Sequence, residues 1–243
     1  MGPRTDDRGR AFKGSQLQIQ LWVTTQLDDL NRRIRAKIPD LGDVEIAWRS
    51  PCQKDRYREY WDADFLRQLE LDDHIPALGR FWPEGGPHWD GLATIRPDAE
   101  PGVLLFEGKS YPQEAAGSPG ATDPTSQTTI ERSLQATHWM LGLGPLTGEW
   151  GARQYQLTNR LSHLAFLRTR GVRAWLVHLL FTNDPSHEPD KQTSEIEWCK
   201  AMSNAYQALG IPDNRPPCVA DVILPARGTY DDLVRATQGA PAT

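Results

Sequence analysis

The sequence predicts an α/β protein in which a central mixed β-sheet is flanked by helices, and three observations carry that expectation. Apolar runs of strand length alternate with longer stretches of helical periodicity, as layered α/β domains require. The region His88–Ser110 (HWDGLATIRPDAEPGVLLFEGKS) reads as a β-hairpin. The run Val172–Thr182 (VRAWLVHLLFT) is almost continuously apolar, which suits a strand covered on both faces.

In chain order, Gln16–Lys37 reads as an amphipathic helix, with Leu17, Leu21, Leu27, Leu30 and Ile34 near helical spacing and Pro39 beyond its end. Asp43–Arg49 reads as a strand. Gln53–Leu71 is expected to be helical, carrying Tyr57, Tyr60, Trp61, Phe65, Leu66 and Leu69. A Pro/Gly-rich loop, Phe81–Pro87, leads into the hairpin. Its first arm, Trp89–Ile95, contains Leu92, Ala93 and the β-branched Thr94 and Ile95; its second, Val103–Phe106, is apolar throughout. Arg96–Gly102 between them is dense in turn formers, and its two prolines exclude a helix. The polar stretch Pro112–Thr125 is either a lid over the hairpin's end or a solvent-exposed loop. Helices are expected over Thr128–Leu141, Gln154–Arg168 and Ser194–Leu209, and a last strand over Cys218–Leu224. The expected organisation is a flexible N-terminus over 1–14, one domain over 15–230 with an N-terminal helical elaboration, and a C-terminal tail over 231–243.

The 243 residues suffice for a substantial core. Nine tryptophans are spread along the chain and read as core anchors; Trp82 and Trp89 lie nearest the hairpin, and burial is their expected role too. A formal net charge of −5 argues against a pure nucleic-acid-binding module, but a metal ion and local basic clusters can reverse the field at a nuclease site. Two such clusters, Arg32–Lys37 and Arg168/Arg170/Arg173, read singly as solvated helix faces or ends. Cys52, Cys199 and Cys218 offer neither a disulfide framework nor zinc spacing, so a reducing, cytoplasmic setting is expected. Met1–Gly14 is polar and charged rather than leader-like, and no apolar run has membrane-spanning length. The six histidines form no metal box; His138, His163 and His178 read as core histidines. A Gly-x-Ser-x-Gly elbow is absent, which disfavours a serine hydrolase.

The chemistry concentrates in the hairpin. Side chains alternate along a strand, so Glu107 and Lys109 share a face, and a suitable register brings Asp90 opposite them. Two carboxylates satisfy magnesium, which takes hard oxygen ligands and keeps several waters. An ammonium beside them complements charge growing on a phosphate. That is the chemistry of metal-dependent phosphodiester cleavage. The competing account is an exposed Glu107–Lys109 ion pair, with Asp90 capping a turn. Farther on, Gln156, Asn159 and Arg160 lie at i, i+3 and i+4 on one helix face, where they either bind substrate or tie the helix to a loop.

Asp90, the hairpin, Glu107-Gly108-Lys109, the helices and the strand Val172–Thr182 together resemble the PD-(D/E)xK nuclease superfamily, with its restriction-endonuclease-like fold. The likeness covers roughly residues 53–183. The segments Phe81–Asp90, Tyr155–Leu161 and Ala174–Val177 further resemble an uncharacterised bacterial branch of it. The resemblance implies an αβββαβ core, Asp90 and Glu107 as ligands for Mg2+ (with Mn2+ as an alternative), and Lys109 positioning or activating the attacking water. It also implies a glutamate from the first core helix: Glu59 is the candidate and Asp62 its rival, since the earlier helix offers only Gln16, Gln18 and Gln20. The expected partner is nucleic acid, with DNA favoured, and no membrane; members of the superfamily often pair as homodimers. Two departures stand out. Trp89 precedes Asp90 where the motif has proline, and Gly108 fills a position that is commonly apolar and loosens the strand. They keep open a catalytically degenerate protein that serves as a nucleic-acid-binding or protein-interaction module.

Overall fold

The computed structural model describes residues 3–95, 101–115, 120–143, 146, 148–151, 154–212 and 216–238. Among these, five strands form one sheet: β1 (Ile46–Ser50), β2 (Gly91–Ile95), β3 (Gly102–Lys109), β4 (Arg173–Thr182) and β5 (Val219–Pro225). They lie side by side in chain order. β1, β2 and β3 pair antiparallel, whereas β3, β4 and β5 run parallel. The sheet is therefore mixed, as the alternation of elements implies. β2 is buried throughout and β3 up to Gly108, because helices cover both faces. The expected hairpin is present; most of its turn, 96–100, lies outside the described residues.

Helices α1 (Gly14–Thr25), α2 (Leu27–Lys37) and α8 (Tyr230–Thr237) lie on one face. Ile19 of α1 sits against Gly108, and Trp48 of β1 stacks on Phe106 while its Nε1 donates to Asn31 of α2. The other face carries α5 (Pro124–Met140), α6 (Tyr155–Arg168) and α7 (Glu195–Ala208). Two short helices, α3 (Asp62–Gln68) and α4 (Ile75–Phe81), join them there through Phe65 against His163 and Phe81 against Phe166. No helix among the described residues is long and apolar enough to cross a membrane.

The structure departs from the sequence expectations at four places. The helix over Gln16–Lys37 breaks at Gln26 (φ −144°, ψ 36°), where α1, buried from Leu17 to Trp22, gives way to an amphipathic α2. Packing rather than periodicity sets that joint. The helix over Gln53–Leu71 shrinks to α3. Arg56 and Tyr57 take left-handed backbone (φ 53° and 55°), and Tyr60 bridges to Trp89 instead. Tyr57 is buried in a small cluster with Ala11, Leu17, Leu21 and Leu233, and that tertiary contact overrides helical spacing.

The ends are also packed. Within 1–14, Thr5 bridges to Ala11, and Arg10 pairs with Asp6 and donates to Thr237 Oγ1 at 3.1 Å. Within 231–243, residues through Thr237 belong to α8, which is opened by a Thr229/Asp232 capping box and buries Leu233 against α1. Finally, α5 begins at Pro124 rather than Thr128, because Asp123 caps it by accepting from Ser126 N at 2.9 Å and proline suits the first helical position. Of the stretch Pro112–Thr125, residues 112–115 form one 3-10 turn, and 116–119 lie outside the described residues.

Candidate active site

Strand register assembles the site. Gly91 pairs with Phe106, so Asp90, one step earlier, faces the level of Glu107. The Gly108 amide donates to Asp90 Oδ2 at 2.8 Å and fixes that carboxylate across the strand gap. Glu107 and Lys109 point to the α6 face, as alternation requires. Lys109 Nζ donates to Glu107 Oε1 at 2.5 Å and to Gln156 Oε1 at 2.9 Å. Arg160 Nε donates to Glu107 Oε2 at 2.8 Å, and its Nη2 reaches the His88 carbonyl at 3.2 Å. Gln156 and Arg160, one helical turn apart on α6, thus grip the end of β3 from above.

The remaining expected residues divide. Glu59 lies nearby, although not on a helix: it directly precedes Tyr60, which bridges to Trp89, its charge raises Asp90, and the charge of Glu107 raises it in turn. Asp62 does not join. Its two oxygens accept from Gly85 N (3.0 Å) and Gly86 N (2.9 Å), which holds the Pro/Gly-rich loop in shape. Asn159 is buried, and its Oδ1 has no hydrogen-bond partner among the described residues. Trp82 and Trp89 are core residues, as expected, and Arg160 lies over the Trp89 ring. Trp61 instead stacks flat on half-exposed His88, 4.3 Å between ring centres, beside Glu59.

The electrostatics follow from Asp90 and Glu107 beside two cations, Lys109 and Arg160, with Glu59 near enough for its charge to be felt. Burial pushes the Asp90 carboxyl well above its usual range, and the charges of Glu107 and Glu59 push it further. Burial also raises Glu59, again reinforced by Glu107 and opposed by Arg4, Arg160 and Lys109. Burial would raise Glu107 too, but Arg160 and then Lys109 outweigh it and hold that carboxyl below the usual range. Glu107 is therefore a balanced anion, and its charge bears on both Asp90 and Glu59.

Gly108 has a packing reason rather than a loosening effect. A Cβ there would stand 2.6 Å from Ile19 Cδ1 and 3.3 Å from Ser15 Cβ, so α1 closes directly on the strand behind the site. The basic clusters are structural: Arg32 and Arg33 pair with Asp29, while Arg168 and Arg170 donate to backbone carbonyls.

One residue of this region is not evident from sequence spacing. His178 of β4 pairs in register with Glu107 on one side and with Asp221 of β5 on the other. Its Nδ1 lies 2.8 Å from Asp221 Oδ1, and Tyr206 OH donates to the same oxygen at 3.0 Å. The core-histidine expectation holds for its burial but misses this partner.

The chain matches no family model, and neither a curated protein nor a solved structure matches it at a significant level.

Proposed function

We propose that the protein is a metal-dependent nuclease of the PD-(D/E)xK type that hydrolyses phosphodiester bonds in DNA. The observation that carries this reading is the meeting of Asp90, Glu107 and Lys109 at one end of β2 and β3, through the Gly108–Asp90 and Lys109–Glu107 hydrogen bonds. The order of elements supports it in part: within the stretch the resemblance covers, α3 and α4 precede the hairpin β2–β3, and α5, α6 and β4 follow it.

The donor set suits a hard divalent cation. Asp90 Oδ1 accepts no hydrogen bond among the described residues, and the excess of negative charge on Asp90 and Glu59 is what a cation relieves. Among the described residues no three His, Cys, Asp or Glu side chains converge as a ready-made metal centre. The fit is therefore two carboxylates plus waters, an arrangement magnesium accepts and manganese shares. Asp90 and Glu107 would hold the ion, with Glu59 beside them. When bound, such an ion supplies charge neutralisation at the phosphate and a more acidic water.

The chain's own groups do the rest. Lys109 places its positive charge beside Glu107, where it would complement charge growing on the phosphate. Arg160 holds Glu107 through Nε and the His88 carbonyl through Nη2, and its remaining guanidinium N–H groups would meet the substrate backbone. Gln156 steadies Lys109 from α6.

A second reading has one specific observation in its favour. Both Glu107 oxygens already accept from cations, Lys109 and Arg160, so the anion is neutralised without any metal. A catalytically degenerate nucleic-acid-binding or protein-interaction module would keep such a network for stability alone. The two readings separate by experiment. Purified protein is incubated with plasmid and with oligonucleotides in Mg2+ or Mn2+, and Asp90→Asn and Lys109→Ala are expected to abolish cleavage. If both variants cleave as well as the parent, the nuclease assignment fails. Calorimetric titration with Mg2+ that shows no carboxylate-dependent uptake would favour the degenerate module.

A further inference from the structure

We propose that His178, held by Asp221 and Tyr206, is a positioning residue of this site that fixes Lys109 through one bound water. The proposal starts from register. Glu107, His178 and Asp221 occupy paired positions on three adjacent parallel strands, so their side chains share the face that α6 and α7 cover. His178 is 3% exposed, as deep in the protein as Glu107.

Hydrogen bonding then fixes the ring. A carboxylate only accepts, so Nδ1, 2.8 Å from Asp221 Oδ1, carries the proton. Tyr206 donates to the same Asp221 oxygen from α7 and stands 3.2 Å from Nδ1, so the ring is braced from a second element. With Nδ1 protonated in a neutral imidazole, Nε2 is a bare acceptor. It is buried and has no hydrogen-bond partner among the described residues. A buried acceptor left unpaired is destabilising, so a group that donates to it is called for.

The neighbourhood supplies the place. Glu107, Lys109, Gln156 and His178 line one partly open cavity of about 30 Å³, whose wall is completed by Gln154 and by apolar side chains that include Leu180 and Met202. That volume has room for a bound water. Lys109 Nζ has three hydrogens, and two of them go to Glu107 and Gln156. A water that accepts the third and donates to His178 Nε2 satisfies both groups. It holds the ammonium from the β4 side while Gln156 holds it from α6. The direction of Lys109 is then set by β5 as well as β3, through Asp221, His178 and the water.

Only the kinetic arm of the test rests on the nuclease reading. The structural arm uses the metal-free protein without substrate: nitrogen-15 NMR of the Lys109 ammonium, which is visible when its protons are held, and of the His178 ring. The expected result is a pyridine-type Nε2 with a protonated Nδ1, and a Lys109 signal that disappears in His178→Leu. Asp221→Asn is the second variant, for the case in which His178→Leu does not fold. An amide there turns the imidazole to the other tautomer, as it does in the Ser-His-Asp triad, and the Lys109 signal is again expected to disappear. A ring protonated on Nε2 in the parent, or a Lys109 signal unchanged in a folded variant, overturns the proposal. In the kinetic arm, His178→Leu is expected to lower kcat about tenfold or more while KM stays within about twofold, the pattern of a lost transition-state interaction. Loss of the signal in a protein that cleaves nothing would refute the nuclease reading and leave His178 as the residue that sets Lys109. A parent-like kcat in the variant of an active nuclease would overturn the role of His178.

Discussion

Gly108 is the most direct place to test how α1 supports the site. Its backbone angles suit any residue, so alanine there carries no conformational penalty and even gains about 0.4–1 kcal/mol by restricting the unfolded chain. What opposes it is space. The new Cβ would sit 2.6 Å from Ile19 Cδ1, roughly 1 Å inside the normal carbon–carbon separation of about 3.5–4.0 Å. Ile19 is fully buried and cannot swing into solvent. Overpacking of this kind costs about 1–3 kcal/mol, so Gly108→Ala should come out destabilised by about 1–2 kcal/mol. For a domain of this size that corresponds to a fall of roughly 2–8 °C in Tm.

Ile19→Val deletes the clashing methyl itself and by itself costs about 0.5–1.5 kcal/mol. In the double variant the closest contacts left to the Cβ are near 3.3 Å, which small shifts absorb. The pair should therefore be more stable than the sum of the singles by about 1 kcal/mol. Urea denaturation of all four proteins, with m values checked for constancy, measures that coupling. A neutral Gly108→Ala, or single effects that add within about 0.3–0.5 kcal/mol, would show that α1 does not close on β3 as described.

Two further outcomes concern ionisation. Asp90 has a folded pKa raised above its usual 3.8, so it favours folding only while protonated; that contribution is complete below 3.8 and is lost as pH rises through the folded value. Asp90→Asn keeps an acceptor for the Gly108 amide and removes the charge, so its stability relative to the parent should grow from pH 4 to pH 8 in metal-free buffer; a constant or shrinking difference would contradict the crowding of Asp90 with Glu107 and Glu59. His163 is enclosed by Phe65, Phe81, Trp82 and Trp89, and burial pushes its pKa down to about 4 from 6.5. The neutral ring is favoured in the fold, so stability is complete above 6.5 and falls by on the order of 3 kcal/mol as pH drops to about 4. His163→Phe should flatten that slope in denaturation curves taken between pH 7 and pH 4, and an undiminished slope would place its origin elsewhere.

The sequence makes different parts of this molecule legible to different degrees, and the reason is range. The hairpin is readable because its signals are local: β-branched residues, a turn rich in proline and glycine, and a two-residue alternation that puts Glu107 and Lys109 on one face. Gln156 and Arg160 are readable as a pair because four residues make one helical turn. Glu59 is readable as a nearby acid but not in its setting. Helical spacing from Tyr57 to Leu69 is genuine, yet the left-handed Arg56 and Tyr57 and the Tyr60–Trp89 bridge are imposed by partners elsewhere in the chain. Thr229-x-x-Asp232 is a local capping signal that identifies α8, so the packed C-terminal end was available to a closer reading.

Gly108 and His178 are a different case. The glycine is explained by a helix about ninety positions earlier, and the histidine by an acid 43 positions later on the next strand. Strand order and register decide both, and neither is encoded in any window of residues. The same holds for Arg160, whose pairing with Glu107 spans 53 positions and sets the charge balance of the site. Because Arg160 and Lys109 neutralise Glu107 together, a cation that enters must compete with at least one of them. On the proposed metal-dependent reading, the affinity of the site for its ion is set as much by α6, through Arg160, as by the two strands that carry the acids.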